Sequence, residues 1–304
     1  MSFHEKVYFG VVHNLLAFPA WKGESEDGLA ISSKLVADPF FEMLEAGWIK
    51  DGEIRNTVRK SIIKSKKEVT YCCGPTAFGE NLDINSRDES VRSKSVERLK
   101  ELAEDALDYG ASLLLICSGQ NAEDDKKGEA LRLLTYSVNE LCEYCRRTRP
   151  NKPLVVSLEI FDWKIDKKRL LGPMDECIKF AENIVRNNSN FSLTLDLSHI
   201  PLTEETPESS VPRVMPFLQH VHVGNCVVKN PNSPFYGDKH PEFGVEDGEI
   251  SREQVQNYFR NLEKYGYLTK KVPTRRPVIV AEVIPPVDSN IEKIIENIKQ
   301  TLKK

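Results

Sequence analysis

The chain alternates short apolar runs with longer segments whose apolar positions recur at helical spacing. The runs lie at 6–12 (KVYFGVV), 68–73 (EVTYCC), 112–117 (SLLLIC), 153–159 (PLVVSLE), 191–196 (FSLTLD), 219–223 (QHVHV) and 277–282 (PVIVAE). Continuous apolar stretches of this length predict parallel strands covered on both faces. An eighth strand is assigned to 47–54 (GWIKDGEI). Between the strands, 87–109 places Val91, Leu99, Leu102, Ala106 and Leu107 on one helical face. Ser86-x-x-Glu89 reads as a capping box at its start and Gly110 as its stop. A second box, Ser251-x-x-Gln254, opens a helix over 251–264. Further helices are predicted over 38–46, 54–67, 128–148, 173–187 and 289–303. A short one is expected in 206–216, which Pro207 and Pro212 interrupt.

Alternation of this kind implies a parallel sheet. An open doubly wound sheet often carries a glycine-rich phosphate turn after its first strand. Here that strand runs into His13-Asn14-Leu15-Leu16 instead. The 304 residues suit a single (β/α)8 TIM barrel of the α/β class spanning 1–304, a fold that takes about 250 residues before insertions. One insertion stands out. Residues 224–250, rich in Gly, Pro and Asn, separate the seventh strand from its helix, and a loop of that length in a compact domain is usually functional.

Composition narrows the function classes. With 40% hydrophobic residues the chain is globular. A formal charge of −4 gives no basic footprint, so nucleic acid is not an expected partner. Clusters such as Lys64–Lys66–Lys67 and Arg146–Arg147–Arg149 read as solvated helix faces. The seven cysteines form no even framework, and several sit in apolar segments (Cys72, Cys73, Cys117, Cys226). They read as reduced, buried thiols. Cys142 and Cys145 make one CxxC, without the second pair that a structural zinc needs. The start, Met1-Ser-Phe-His-Glu-Lys, shows no signal-peptide pattern, and no apolar run reaches the ~18 residues of a membrane span. A soluble, cytoplasmic protein with no membrane partner is the expectation.

The chemistry lies at the strand ends. Glu159 closes the fifth strand, Asp196 the sixth, His222 the seventh and Glu282 the eighth. In a barrel those C-terminal ends meet at one mouth, where active sites sit. Ser157, Thr194 and His220 lie two residues earlier and share a face with their partners, forming a polar layer beneath. Three carboxylates and an imidazole make a hard, oxygen-rich ligand set for a divalent ion. Mn²⁺ is the first choice, with Mg²⁺, Co²⁺ or Zn²⁺ as alternatives. His199, with Asp238 and His240 of the long loop, forms a second set for a second ion or for substrate. His13 and Asn14, Trp163, and Asn225 after Gly224 are further substrate contacts to be weighed against loop and core roles. Lys229 is a candidate for neutralising an anionic substrate. His220 reads as a hydrogen-bonded barrel residue, and His4 carries no signal.

In order and spacing, SLEIFD (157–162), LTLDLSHIP (193–201), HVHVGN (220–225), YGDKHPEFG (236–244) and IVAEV (279–283) resemble the xylose isomerase-like TIM-barrel superfamily. That group holds sugar isomerases and epimerases and is related to endonuclease IV, which segment 81–112 also resembles. The ketose 3-epimerase members bind one divalent metal through Glu, Asp, His and Glu. The resemblance assigns these roles to Glu159, Asp196, His222 and Glu282. It further implies that Glu159 and Glu282 act as the acid/base pair and that His199 contacts substrate. The chain departs from those epimerases at Val228, where they carry an arginine. In the endonuclease IV branch, residues matching His199, Asp238 and His240 bind an additional zinc. Two further zinc histidines of that branch are replaced here within Tyr71-Cys72-Cys73 and Cys117-Ser118-Gly119.

The implied function is a divalent-metal-dependent sugar or keto-sugar isomerase or epimerase. It would abstract a proton next to a carbonyl through a metal-stabilised enediolate. The alternatives are a zinc-dependent phosphodiesterase or AP-endonuclease-like enzyme, a lyase or dehydratase on 3-keto sugars or glycosides, and a non-catalytic sugar-binding module. Pairing through helices or mouth loops into a homo-oligomer also fits such barrels.

Overall fold

The computed structural model describes residues 3–303, so Met1, Ser2 and Lys304 of the expected 1–304 domain lie outside the described residues. Eight parallel strands close into one barrel in chain order. They are β1 (Tyr8–Val12), β2 (Met43–Ala46), β3 (Glu68–Cys72), β4 (Leu113–Cys117), β5 (Val155–Glu159), β6 (Phe191–Asp196), β7 (Leu218–Val223) and β8 (Val278–Ala281). Helices lie between successive strands, which makes the fold a (β/α)8 TIM barrel. Among the described residues, no helix is long and apolar enough to cross a membrane.

Strand alternation splits the apolar residues into two layers. The main core fills the space between barrel and helices and takes Val11, Leu44, Tyr71, Leu114, Leu158, Leu195, Val221 and Ile279. The barrel interior takes the alternate positions. Tyr8, Val12, Met43, Val278 and Val280 pack in one cluster there, and Cys72, Leu113 and Leu115 in another. Toward the C-terminal ends of β5, β6 and β7 the interior positions are polar. Ser157 Oγ and Thr194 Oγ1 lie 2.7 Å apart and buried, as the expected polar layer requires.

Two sequence assignments change. The second strand is 43–46, not 47–54, and 38–46 is therefore not a helix. Both β1 and β3 pair with this segment, and that two-sided pairing overrides the helix-like spacing of Phe40, Phe41 and Leu44. The helix preceding it is Glu26–Ala37, capped by Ser25, which the sequence pattern did not reveal. The start of Glu89–Asp108 also differs. Asp88 caps it, accepting from the backbone N–H groups of Ser90 and Val91, whereas Ser86 Oγ accepts from the N–H of Asp88 one step earlier. The box at Ser251 forms as expected. All seven cysteines are free and buried, including the CxxC pair inside helix Asp124–Thr148.

Gly10 sits inside the barrel opposite Met43. A Cβ there would stand 2.8 Å from the Met43 carbonyl oxygen and closer still to its thioether. Gly10→Ala should lower stability by about 1–3 kcal/mol through overpacking. Urea or thermal unfolding measures this, and an unchanged midpoint would contradict the close β1–β2 approach.

Candidate metal centre

The strand registers bring the polar ends together. Asp196 pairs with His222 across β6 and β7, Glu159 with Thr194 across β5 and β6, and Glu282 directly follows β8. One ligand atom from each of Glu159, Asp196, His222 and Glu282 lies within 4.8 Å of all the others, and all four residues are buried. An ion there would sit about 2.0–2.2 Å from each atom.

Hydrogen bonding shows which atoms are free for such an ion. Asp196 Oδ1 accepts from the N–H groups of Ser198 and Gly224 at 2.7 and 3.0 Å, which leaves Oδ2 without a partner. Glu159 Oε1 and His222 Nδ1 are likewise buried without a hydrogen bond. Nδ1 stands 2.7 Å from Glu282 Oε2 and 3.4 Å from Glu159 Oε1. These are close approaches that lack hydrogen-bond direction. Buried polar atoms seldom remain unsatisfied, and here they face one another around a common point. The residues therefore fit a divalent cation.

Glu45 of β2 escaped the sequence reading, because its segment was read as a helix. Its Oε1 lies 2.8 Å from His222 Nε2 and its Oε2 lies 3.0 Å from His220 Nε2. Thr70 also donates to Oε2 at 2.7 Å. Glu45, the second of two acidic residues in the otherwise apolar run FFEMLEA, was the available signal. Holding the proton of His222 on Nε2 aims the Nδ1 lone pair into the site, the outer-shell arrangement that orients metal-binding histidines. His220 is thus the hydrogen-bonded barrel residue the sequence suggested.

The second set gathers beside the first. Asp238 Oδ1 lies 3.2 Å from His199 Nε2 and 2.8 Å from His240 Nε2, while His199 Nδ1 donates to the Ile160 carbonyl at 2.8 Å. His240 Nδ1 has no partner. Ligand atoms of Asp196, His199 and His240 also group within 4.8 Å, so this corner can take a further cation or a polar substrate group. His240 packs directly over Gly224, where a Cβ would meet its Nδ1 at 2.4 Å.

Burial and charge pull the titrating groups apart. Burial raises Glu159 above the usual carboxylate range. Burial also opposes ionisation of Glu282, but His240 and His222 outweigh it and bring that carboxyl below the range. For His222, burial is overcome by Glu45, Glu159 and Glu282, which hold the imidazole well above its ordinary value. In the same way Asp238 leads the groups that raise His199 to about 10 and His240 to about 9 against burial.

A cavity of about 230 Å³ opens onto both sets. Glu159, Glu282, Asp238, His240 and Lys167 supply its polar lining, and Leu15, Pro75, Phe78, Phe161 and Ile284 its apolar lining. The weaker substrate candidates lie outside this wall. His13 is fully buried, with its ring against Ser32 Oγ and Asn14 Oδ1, and burial drops it to about 4. Trp163 has the ammonium groups of Lys127 and Lys164 within 5.8 Å of its ring and leaves the apolar wall to Phe161. Asn225 clamps the 224–250 loop. Its Oδ1 accepts from the N–H groups of Cys226 and Ile250 and its Nδ2 donates to the Glu242 carbonyl. Asn14 borders an adjoining hollow with Trp48. Lys229 is exposed and paired with Glu249.

Two tests follow from this geometry. A raised His222 carries a proton in the metal-free protein at neutral pH, and Nδ1 must lose it to accept a cation. Metal uptake near pH 7 should therefore release roughly one proton or more, and affinity should fall as pH falls. Calorimetry in buffers of different ionisation enthalpy measures this, and uptake without proton release would contradict it. Glu45→Gln should weaken metal binding by about 10–100-fold with circular dichroism unchanged. Wild-type affinity in that variant would remove Glu45 from the site.

Comparison with known proteins places the chain in a family. A family model described as xylose isomerase-like TIM barrel matches residues 40–300. No curated protein sequence matches. Among solved structures, a D-tagatose 3-epimerase-like protein superposes with a TM-score of 0.70 at 17% identity, covering 97% of each chain. The 3-keto-D-glucoside 4-epimerase YcjR from E. coli gives 0.63 at 15%, covering 97% of this chain and 98% of its own. The IolI protein with a bound zinc atom gives 0.66 at 12%, covering 97% and 96%. At these identities the likeness is one of fold. The family model, spanning most of the sequence, is what shows that the chain belongs to the xylose isomerase-like TIM barrel family.

Proposed function

We propose that the protein is a divalent-metal-dependent sugar or keto-sugar isomerase or epimerase, working by proton transfer next to a carbonyl. The observation that carries this reading is the convergence of two cavity-lining glutamates, Glu159 and Glu282, on the same unpartnered nitrogen of His222. Glu159, Asp196, His222 and Glu282 would hold the ion, with Mn²⁺ the first choice. When bound, such an ion supplies Lewis acidity that spreads the negative charge of an enediolate.

The chain's own groups do the rest. One glutamate removes the proton from carbon and the other returns or relays one. His199, fixed by the Ile160 carbonyl and Asp238, would orient a substrate hydroxyl. Phe78, Phe161 and Leu15 keep water from the reacting carbon. The epimerase names among the structural neighbours support a carbohydrate substrate.

A second reading rests on the His199–Asp238–His240 corner. A second zinc there would suit phosphodiester hydrolysis, but Cys72 and Cys117, at the ends of β3 and β4, offer no imidazole to complete a three-zinc set. Burial raises both thiols, which makes them poor ligands. Cytoplasmic location and pairing of barrels belong to the same proposal.

Glu159→Gln, with its metal content verified, should lower turnover of a ketose or keto-sugar substrate by about 10²–10⁴-fold. Near-normal turnover in that variant would sink the acid/base role.

A further inference from the structure

The proton-transfer chemistry uses one of two adjoining spaces at the barrel mouth. The second is a hollow of about 140 Å³ over the C-terminal ends of β1, β2 and β3. Asn14, Phe18 and Glu24 reach it from the segment after β1, and Trp48 and Ile49 from the segment after β2. Leu15, Cys72 and Pro75 belong to the linings of both spaces, so the hollow adjoins the cavity along one edge. Cys72 ties that edge to the metal centre. Its thiol is pushed up by burial and then by the charges of Glu45, Glu282 and Glu159, which stand near it.

Close backbone packing shapes the hollow. Gly47 directly follows β2, and a Cβ there would stand 3.2 Å from both Asn14 Nδ2 and the Cys72 carbonyl oxygen. Asn14 Nδ2 donates to the Trp48 carbonyl at 3.1 Å. The guanidinium carbons of Arg55 and Arg98 lie 4.0 and 4.4 Å from the Trp48 ring centroid. They hold the ring by cation–π attraction, and neither arginine lines the hollow.

The chemistry of the wall decides what it takes. Asn14 Oδ1 lies 3.0 Å from His13 Nδ1, and its Nδ2 is used on Trp48. Both carboxylate oxygens of Glu24 accept from backbone N–H groups, those of Lys50 and Asp51, at 2.6 Å. With these side chains engaged, Leu15, Phe18, Trp48 and Ile49 are left to meet a ligand. Hydroxyls of a second sugar ring would lose water there and find few partners, which is unfavourable. A cavity of about 150 Å³ lined by Leu, Ile and Phe takes one benzene, so this hollow suits a single apolar ring. The metal-centre cavity alone falls short of the roughly 300 Å³ at which ligand pockets begin, and with the hollow joined to it the space passes that bound.

We propose that the substrate is a keto-sugar carrying an apolar substituent of about benzene size, with the sugar at the metal centre and the substituent in the Phe18–Trp48 hollow. This rests on the sugar isomerase reading and adds the substrate class. Where the substituent is joined through a glycosidic link, the anomeric carbon is closed and the carbonyl lies on a ring carbon. A carbonyl at ring position 3 acidifies hydrogens on both neighbouring carbons, so 3-keto-glycosides are suitable probes.

The test is equilibrium dialysis of methyl, phenyl and glucosyl 3-keto-D-glucosides, each in both anomers, against the Mn²⁺-loaded full chain. In one anomeric series the phenyl glycoside should bind at least about tenfold tighter than the methyl glycoside, with the glucosyl glycoside within about threefold of the methyl one. A phenyl-to-methyl ratio below tenfold in both series, or a glucosyl gain equal to the phenyl gain, overturns the proposal. In Trp48→Ala, with folding checked by circular dichroism, the phenyl-to-methyl ratio should fall at least about threefold. An unchanged ratio overturns the assignment of the hollow. If that variant does not fold, crystals soaked with the 4-bromophenyl glycoside decide. An anomalous bromine peak between Phe18 and Trp48 is expected, and a peak elsewhere, or none, contradicts the assignment. Hydrogen exchange from ²H₂O into the same glycosides reads the isomerase proposal separately. A phenyl preference without exchange refutes that reading and leaves the hollow assigned, whereas exchange without a phenyl preference does the reverse.

Discussion

The barrel mouth is organised around an excess of buried negative charge. Glu45, Glu159, Asp196 and Glu282 all lie within reach of one imidazole, and burial leaves little water to screen them. Carboxylates taken from water this way destabilise a fold unless they are paired or bind a cation. His222 answers part of the demand. Its Nε2 side is settled by Glu45, while its Nδ1 side meets three carboxylates with no hydrogen bond to any of them. Much of the surrounding architecture serves to hold that unresolved meeting in place. Main-chain N–H groups of Ser198 and Gly224 fix Asp196, and Gly224 lets His240 approach from above.

Much of this was legible in the sequence, for a physical reason. In a parallel barrel every strand is buried on both faces, so a charged or imidazole side chain at a strand end stands out from the apolar run before it. Glu159, Asp196, His222 and Glu282 are visible in that way, and strand order alone carries them to one mouth. The polar layer of Ser157, Thr194 and His220 follows from alternation. What failed was local. Residues 43–46 form a strand because neighbours on both sides pair with them, which no short-range pattern encodes, and Glu45 was lost with that strand.

His13, Trp163 and Asn225 show the same limit from the other side. Each follows or adjoins a strand end, and position alone made each a candidate. The structure turns them toward Ser32, toward two lysines, and toward the ends of the 224–250 loop. That loop still contributes to the site, but through Asp238 and His240. Sequence distance from a strand end is therefore a weaker guide than the direction set by backbone hydrogen bonds. The cavity that results combines Glu159, Glu282, Asp238, His240 and Lys167 with apolar side chains such as Phe78 and Phe161.

The most direct measurement is an anomalous-scattering map of crystals of the full chain grown with Mn²⁺. The four-residue site requires one peak bonded to Glu159, Asp196, His222 Nδ1 and Glu282, at about 2.0–2.2 Å from each ligand atom. A map with no peak among those four residues, or with its only peak at His199, Asp238 and His240, would contradict it.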